Sequence, residues 1–262
     1  MKLCVIGGAG ARSAFLTKSL VKSTRDIRVD HIVLLDNDQQ KLKTYGEISR
    51  ELSRRLDPDL TFEVTSDARA ALTGVDYIIT TIRAGEDAGR LFDEQTCLAH
   101  GVLGQETTGA GGFAMAIRSV PTLVYYCTLA REVANPGHLI FNFTNPSGII
   151  TQALRSKGFD NVYGICDAPS GFIKQLEEIL EIPYGTLDIE CYGLNHLSWF
   201  RNAKVNGRDV QRELLDNPRT YEHSEMRLFT REMARISGDC MLNEYLYFYY
   251  RRGKSLSMIQ KA

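Results

Sequence analysis

Short apolar runs alternate along the chain with longer segments whose apolar residues return every three or four positions. Leu3 to Ile6, Ile32 to Leu35, Tyr77 to Thr81, Leu139 to Phe143 and Val162 to Ile165 are apolar at nearly every position, the pattern of strands covered on both faces. Between them, Asp36 to Arg55 opens with residues able to cap a helix and spaces Leu42, Tyr45, Ile48 and Leu52 at helical intervals. Phe113 to Val133 repeats that spacing around Pro121, which predicts a kink or a split into two helices. The rhythm is βαβ, so the expected fold is α/β, a doubly wound Rossmann-like parallel sheet. Beyond Ile165 the pattern changes. Asp188 to Tyr192 and Ser198 to Val205 read as strands, followed by helical segments to the end, so residues 1–165 and 166–262 are expected to form two regions, the second α+β. No closing element follows the last residues, which predicts a second region truncated at its C-terminus.

Composition narrows the function classes. Of 262 residues, 44% are hydrophobic and 24% charged, ordinary globular proportions. Lys and Arg (31) nearly cancel Asp and Glu (32), leaving no positive field for a nucleic acid or an anionic membrane. The six cysteines are scattered without a CxxC pair, which suits a reducing cytoplasm. MKLCVIGG is broken by glycine too soon for a secretory leader, and no run approaches the ~20 apolar residues of a bilayer crossing.

The first predicted strand runs into Gly7-Gly8-Ala9-Gly10-Ala11-Arg12-Ser13. Glycines there let backbone N–H groups approach a pyrophosphate at the positive end of the following helix. Against G-x-G-x-x-G the fit is Gly8, Gly10 and then Ser13, so the third position departs from glycine. Asp36 closes the second predicted strand 26 residues after Gly10, where a carboxylate meets the adenosine ribose and favours NAD. A tight turn for the glycines and a helix cap for Asp36 are the plain alternatives.

Polar residues beside glycine gather at predicted strand ends: Arg83 and Arg90, Gly104 to Gly109, Asn142 to Pro146, Gly164 to Pro169, and Gly193 to Trp199. Cys166 and His196 lie 30 residues apart, unlike the close-spaced pairs of a structural zinc site. An open metal site, a buried thiol with a hydrogen-bonded histidine, and a nucleophile pair all fit that spacing. Near the end, Asn243-Glu244-Tyr245-Leu246-Tyr247-Phe248-Tyr249-Tyr250 reads as an aromatic packing face, with Tyr245 and Tyr249 sharing one side of a helix.

In order, VIGGAG, IRAG, GQETTGAGGFAMAIRSVP, FNFTNPSG, GICDAP, GLNHLSW and EYLYFYY make a chain that resembles glycoside hydrolase family 4, the NAD- and metal-dependent glycosidases that include 6-phospho-glucosidases. The resemblance implies hydrolysis by NAD-dependent oxidation at sugar C3, metal-assisted removal of the C2 proton, and elimination followed by addition of water. This differs from two-carboxylate glycosidases. It implies that residues 1–165 bind NAD through Gly7, Gly8, Gly10 and Asp36. Residues 166–262 would form a partial substrate domain in which Cys166 and His196 hold a divalent metal, usually manganese, beside the nicotinamide. It further implies Tyr245 as the base at C2, with Tyr247 or Tyr249 as alternatives, and Asp167 as the acid for the leaving group. Arg90, Asn145 and Asn195, and less directly Arg83 and Glu106, would contact a phosphorylated glycoside. GQETTG is similar to the β-glucosidase branch and Asp167 to the α branch; the β branch is favoured. A homo-oligomer is implied for the full-length family. Two other readings are an NAD-dependent 2-hydroxy-acid dehydrogenase of the lactate/malate type and a dinucleotide-binding fragment without turnover.

Overall fold

The computed structural model describes residues 1–260 and divides into two compact units, one of residues 1–92 and 112–165, the other of residues 93–111 and 166 onward. Lys261 and Ala262, the end of the expected helical tail, lie outside the described residues.

The first unit is built on six parallel strands: β1 (Lys2–Ile6), β2 (His31–Leu35), β3 (Thr61–Thr65), β4 (Tyr77–Thr80), β5 (Leu139–Asn142) and β6 (Val162–Gly164). Their order is β3-β2-β1-β4-β5-β6, the doubly wound arrangement whose direction of growth reverses between β1 and β4. The apolar runs become strands because both sheet faces are covered. Cys4, Ile6, Val33 and Leu35 pack into one core, while Leu3, Val5, Ile32 and Leu34 pack into another on the opposite face. β3 escaped the sequence reading because TFEVT is a partly exposed edge strand with mixed polarity.

Two helical expectations change. Gly109–Val133 is one continuous 25-residue helix with exposed Pro121 inside it. Its inner face sends Leu123, Cys127 and Ala130 into the core, and that packing outweighs the roughly 3 kcal/mol proline penalty. It is also the one described helix long and apolar enough to cross a membrane by length and composition, although no such run was expected. Arg118, Ser119 and Pro121 interrupt its apolar residues, so it does not read as a continuous apolar stretch. In the segment after β2, Asp38 rather than Asp36 caps the helix. A π-helical turn at Leu42–Gly46 then precedes the helix Glu47–Leu56. The extra residue rotates the face, so Leu42, Gly46, Ser49 and Ser53 are buried while Tyr45 and Ile48 are exposed.

The second unit holds antiparallel strands β7 (Leu187–Leu194), β8 (Leu197–Val205), β9 (Arg208–Asp209) and β10 (Met241–Leu242), in the order β10-β8-β7 with β9 on β8. The helix Ala168–Leu180 covers them through Phe172, whose ring meets Phe200 edge-on at 4.9 Å.

Candidate active site

On the first unit, the loop after β1 enters the switch point. Gly7 has φ 83°, and a Cβ there would sit 2.6 Å from the Thr81 carbonyl oxygen. A Cβ on Gly8 would meet Leu34 Cβ at 2.9 Å. These two glycines are required by the turn itself. Gly10 differs, because a Cβ there would meet nothing within 4 Å, so the backbone faces open space. The helix Ser13–Ile27 that follows has no side-chain cap and no acidic residue in its first turn, so its N–H dipoles remain available to an anion. Asp36 accepts hydrogen bonds from the Ala9 N–H at 3.1 Å and the Asp38 N–H at 3.1 Å, holding the glycine loop against the end of β2. The same unit carries Asn145, partly buried ahead of Pro146, and Arg90 on the helix Glu86–Ala99. Arg83 pairs with Asp87 at 2.6 Å.

On the second unit, two residues 30 apart in sequence meet. Cys166 precedes the helix Ala168–Leu180, and His196 sits in the two-residue turn between β7 and β8. The Leu194–Leu197 pairing that closes this hairpin leaves His196 at φ 59°. For a non-glycine residue that conformation costs roughly 1–2 kcal/mol. Cys166 Sγ and His196 Nε2 lie 3.6 Å apart. A thiolate and an imidazole bound tetrahedrally to zinc, at about 2.3 and 2.0–2.1 Å, would be separated by about 3.6 Å, so the pair is close enough to reach one divalent cation of about that size. Burial lowers the His196 pKa, keeping the imidazole in the neutral form that ligates. Among the described residues no group of three or more His, Cys, Asp or Glu could hold a metal. The pair offers one sulfur and one nitrogen donor, fewer than the four protein ligands of a closed structural site.

Tyr245 stands beside this pair, with its ring centroid 4.4 Å from that of His196. It precedes the short helix Leu246–Tyr250, and the Thr107 side chain is a hydrogen-bonding partner of its phenol. Burial raises the Tyr245 pKa, and the neighbouring charges of Glu244, Glu106 and Cys166 push in the same direction. A cation held by Cys166 and His196 would reverse that local field. Tyr247 packs on Phe229 at 5.9 Å, and Tyr249 is exposed. Tyr245 has helical torsions at the start of this short helix, one turn before Tyr249. Asn195 and His196 line a pocket of about 120 Å³ together with Cys191, Ser198 and Asn243. Asp167 is exposed at the start of its helix and makes no side-chain capping bond, leaving its carboxyl unengaged in that role.

Sequence reasoning missed Thr107, Asn243 and Glu225 as neighbours of this site. The first two lie inside motifs already singled out, but Glu225, in an unremarkable Ser-Glu-Met-Arg stretch, gave no signal. Its carboxylate is buried and accepts from Asn243 Nδ2 at 2.8 Å and from the Glu244 N–H at 3.1 Å. Desolvation raises its pKa from 4.5 to about 7. A carboxyl with a raised folded-state pKa contributes stability that is fully present below the unfolded value and is lost as pH rises through the folded value. In metal-free protein, Glu225→Gln is therefore expected to gain up to about 3 kcal/mol over the parent chain above pH ~7, and little near pH ~4.5. Thermal melts at both ends of that window check it; an equal difference in melting temperature at the two pH values would refute the assigned shift.

Comparison with known proteins gives the family. The chain is 35% identical over 219 residues to the 6-phospho-beta-glucosidase BglT of Thermotoga maritima, covering 83% of this chain and 51% of that protein. It is 32% identical to the phospho-alpha-glucosidase PagL of Clostridium acetobutylicum, covering 82% and 50%. It therefore spans about half the length of these curated relatives. The solved Thermotoga maritima 6-phospho-beta-glucosidase with manganese, NAD+ and glucose-6-phosphate superposes with a TM-score of 0.89 at 30% identity, over 100% of this chain and 62% of that one. Residues 2–182 match the family 4 glycosyl hydrolase model and residues 191–262 match that family's C-terminal domain. Because the two models together cover nearly the whole length, this chain belongs to the family 4 glycosyl hydrolases.

Proposed function

We propose that this chain carries the catalytic machinery of a 6-phospho-glucosidase that uses NAD and a divalent metal, manganese in the first instance. The observation that carries the reading is the 3.6 Å approach of Cys166 Sγ to His196 Nε2 with the Tyr245 ring alongside. Bound NAD would supply a hydride acceptor for sugar C3, and the bound cation would supply Lewis acidity toward the C2 and C3 oxygens. Gly7, Gly8 and Gly10, with the uncapped helix after them, hold the pyrophosphate, and Asp36 braces that loop and faces the ribose. Cys166 and His196 hold the cation. The phenolic oxygen of Tyr245 takes the C2 proton, with Thr107 orienting it. The Asp167 carboxyl gives a proton to the departing glycosidic oxygen. From the family resemblance, Asn145, Asn195 and Arg90 are the side chains for sugar hydroxyls and the 6-phosphate, for which a guanidinium fork is suited.

We favour the β-linked substrate, supported by the GQETTG segment, while Asp167 speaks for the α-linked one. A cytoplasmic setting suits a thiolate ligand that oxidation would destroy. A hydroxy-acid dehydrogenase would have no use for Cys166 beside His196. The test is cleavage of chromogenic 6-phospho-β- and 6-phospho-α-glucosides. The expected result is turnover that requires NAD+ and Mn2+ together, with no net reduction of NAD+ and a preference for the β anomer. Turnover that survives cofactor removal and chelation would overturn the mechanism, and a preference for the α anomer would overturn the choice of linkage.

A further inference from the structure

We propose that Glu225 is a positioning residue that, through Asn243, holds Tyr245 beside His196; this rests on the reading of Tyr245 as the base. A two-point clamp joins the 3-10 turn Glu225–Leu228 to the turn 243–245 that delivers the tyrosine. At one point the Glu225 carboxylate accepts from Asn243 Nδ2 at 2.8 Å and from the Glu244 N–H at 3.1 Å. At the other, Arg227 pairs with the Glu244 carboxylate at 3.0 Å. Between them the Leu242 N–H donates to Met226 Sδ at 3.0 Å.

The carboxylate sets more than a distance. The Glu225 oxygen that faces Asn243 acts as an acceptor, so it draws the amide nitrogen of Asn243 toward itself and turns the amide oxygen the other way. That oxygen accepts from the Tyr245 N–H at 3.2 Å. The Asn243 main chain is fixed independently, donating to the Ser198 carbonyl at 3.1 Å on β8, two residues from His196. The amide is thus oriented by Glu225 at one end and anchors the tyrosine backbone at the other. Asn243 and Glu225 are both buried, so water is a poor substitute for either bond.

A structural core residue could be neutralised or trimmed without moving one particular phenol, and that difference is testable in the full chain. Glu225→Gln keeps an acceptor oxygen for Asn243. Glu225→Asp falls short by one methylene, about 1.5 Å, and Glu225→Ala removes the acceptor; Asp serves as the decisive variant if Ala does not fold. With 13Cζ-labelled tyrosine, the Tyr245 resonance is assigned by its loss in Tyr245→Phe among the 12 tyrosines. It is expected to shift in Glu225→Asp and Glu225→Ala and to return in Glu225→Gln, while the signals of remote tyrosines stay in place. In turnover with NAD+, Mn2+ and a 6-phospho-glucoside, kcat is expected to fall about 10- to 100-fold in Asp and Ala. KM should change by less than about threefold, and the kinetic isotope effect of C2-deuterated substrate should rise. Folded Asp or Ala variants with an unmoved Tyr245 resonance, or with a lowered kcat and an unchanged isotope effect, overturn the proposal. Absence of turnover in the parent chain overturns the glucosidase reading alone, because the resonance still reports whether Glu225 positions Tyr245.

Discussion

Tyr245→Phe is expected to lower kcat about 10²–10⁴-fold with little change in KM, since it removes one proton acceptor and keeps the ring. The ring contact with His196 at 4.4 Å survives the substitution, so the metal pair should remain in place. Burial raises the pKa of this phenol, and Glu244, Glu106 and Cys166 add to the shift, so without an opposing charge it is protonated at neutral pH and inert as a base. Activity should rise with pH as the phenol ionises in the loaded enzyme, and the Phe variant should lose that limb of the profile. Tyr247→Phe and Tyr249→Phe provide the contrast, because one ring packs on Phe229 and the other faces solvent. Steady-state kinetics on the three variants checks the assignment. A Tyr245→Phe enzyme with parental kcat would remove the phenol from the chemistry.

Cys166→Ser and His196→Ala are each expected to weaken Mn2+ binding by about 10²-fold or more, given that even partners behind a ligand contribute about 10- to 100-fold. The two proposed ligands sit 3.6 Å apart, so loss of either leaves a single protein donor. Titration followed by Mn2+ electron paramagnetic resonance reads this directly, apart from turnover. Because burial lowers the His196 pKa below its ordinary 6.5, the imidazole stays neutral, and affinity should persist, into more acidic solution than an exposed histidine would allow. Proton competition then weakens binding only as pH falls through the lowered value. Parental affinity in either variant would show that the cation sits elsewhere.

Much of this was legible in residue order because the signals are local. A strand covered on both faces needs apolar residues at successive positions, and Leu3 to Ile6 or Ile32 to Leu35 announce that without reference to any partner. A turn in which a Cβ would fall 2.6 Å from a carbonyl oxygen admits only glycine, so Gly7 is written into the sequence. Where locality failed, the reasons are specific. One extra residue in the π-turn at Leu42–Gly46 changed which side of the next helix is buried, and a core face carried the helix Gly109–Val133 through Pro121.

By itself, the sequence determined the parallel sheet, the glycine loop and the set of chemically capable residues, since each depends on neighbours a few positions away. Only the tertiary structure decided that Cys166 meets His196, that Tyr245 rather than Tyr247 or Tyr249 lies against that histidine, and that Thr107 and Glu225 attend it. Those contacts join residues tens of positions apart. They are set by the β7–β8 register, the tight turn carrying His196 and the packing of buried side chains, all properties of the assembled chain that no local window contains.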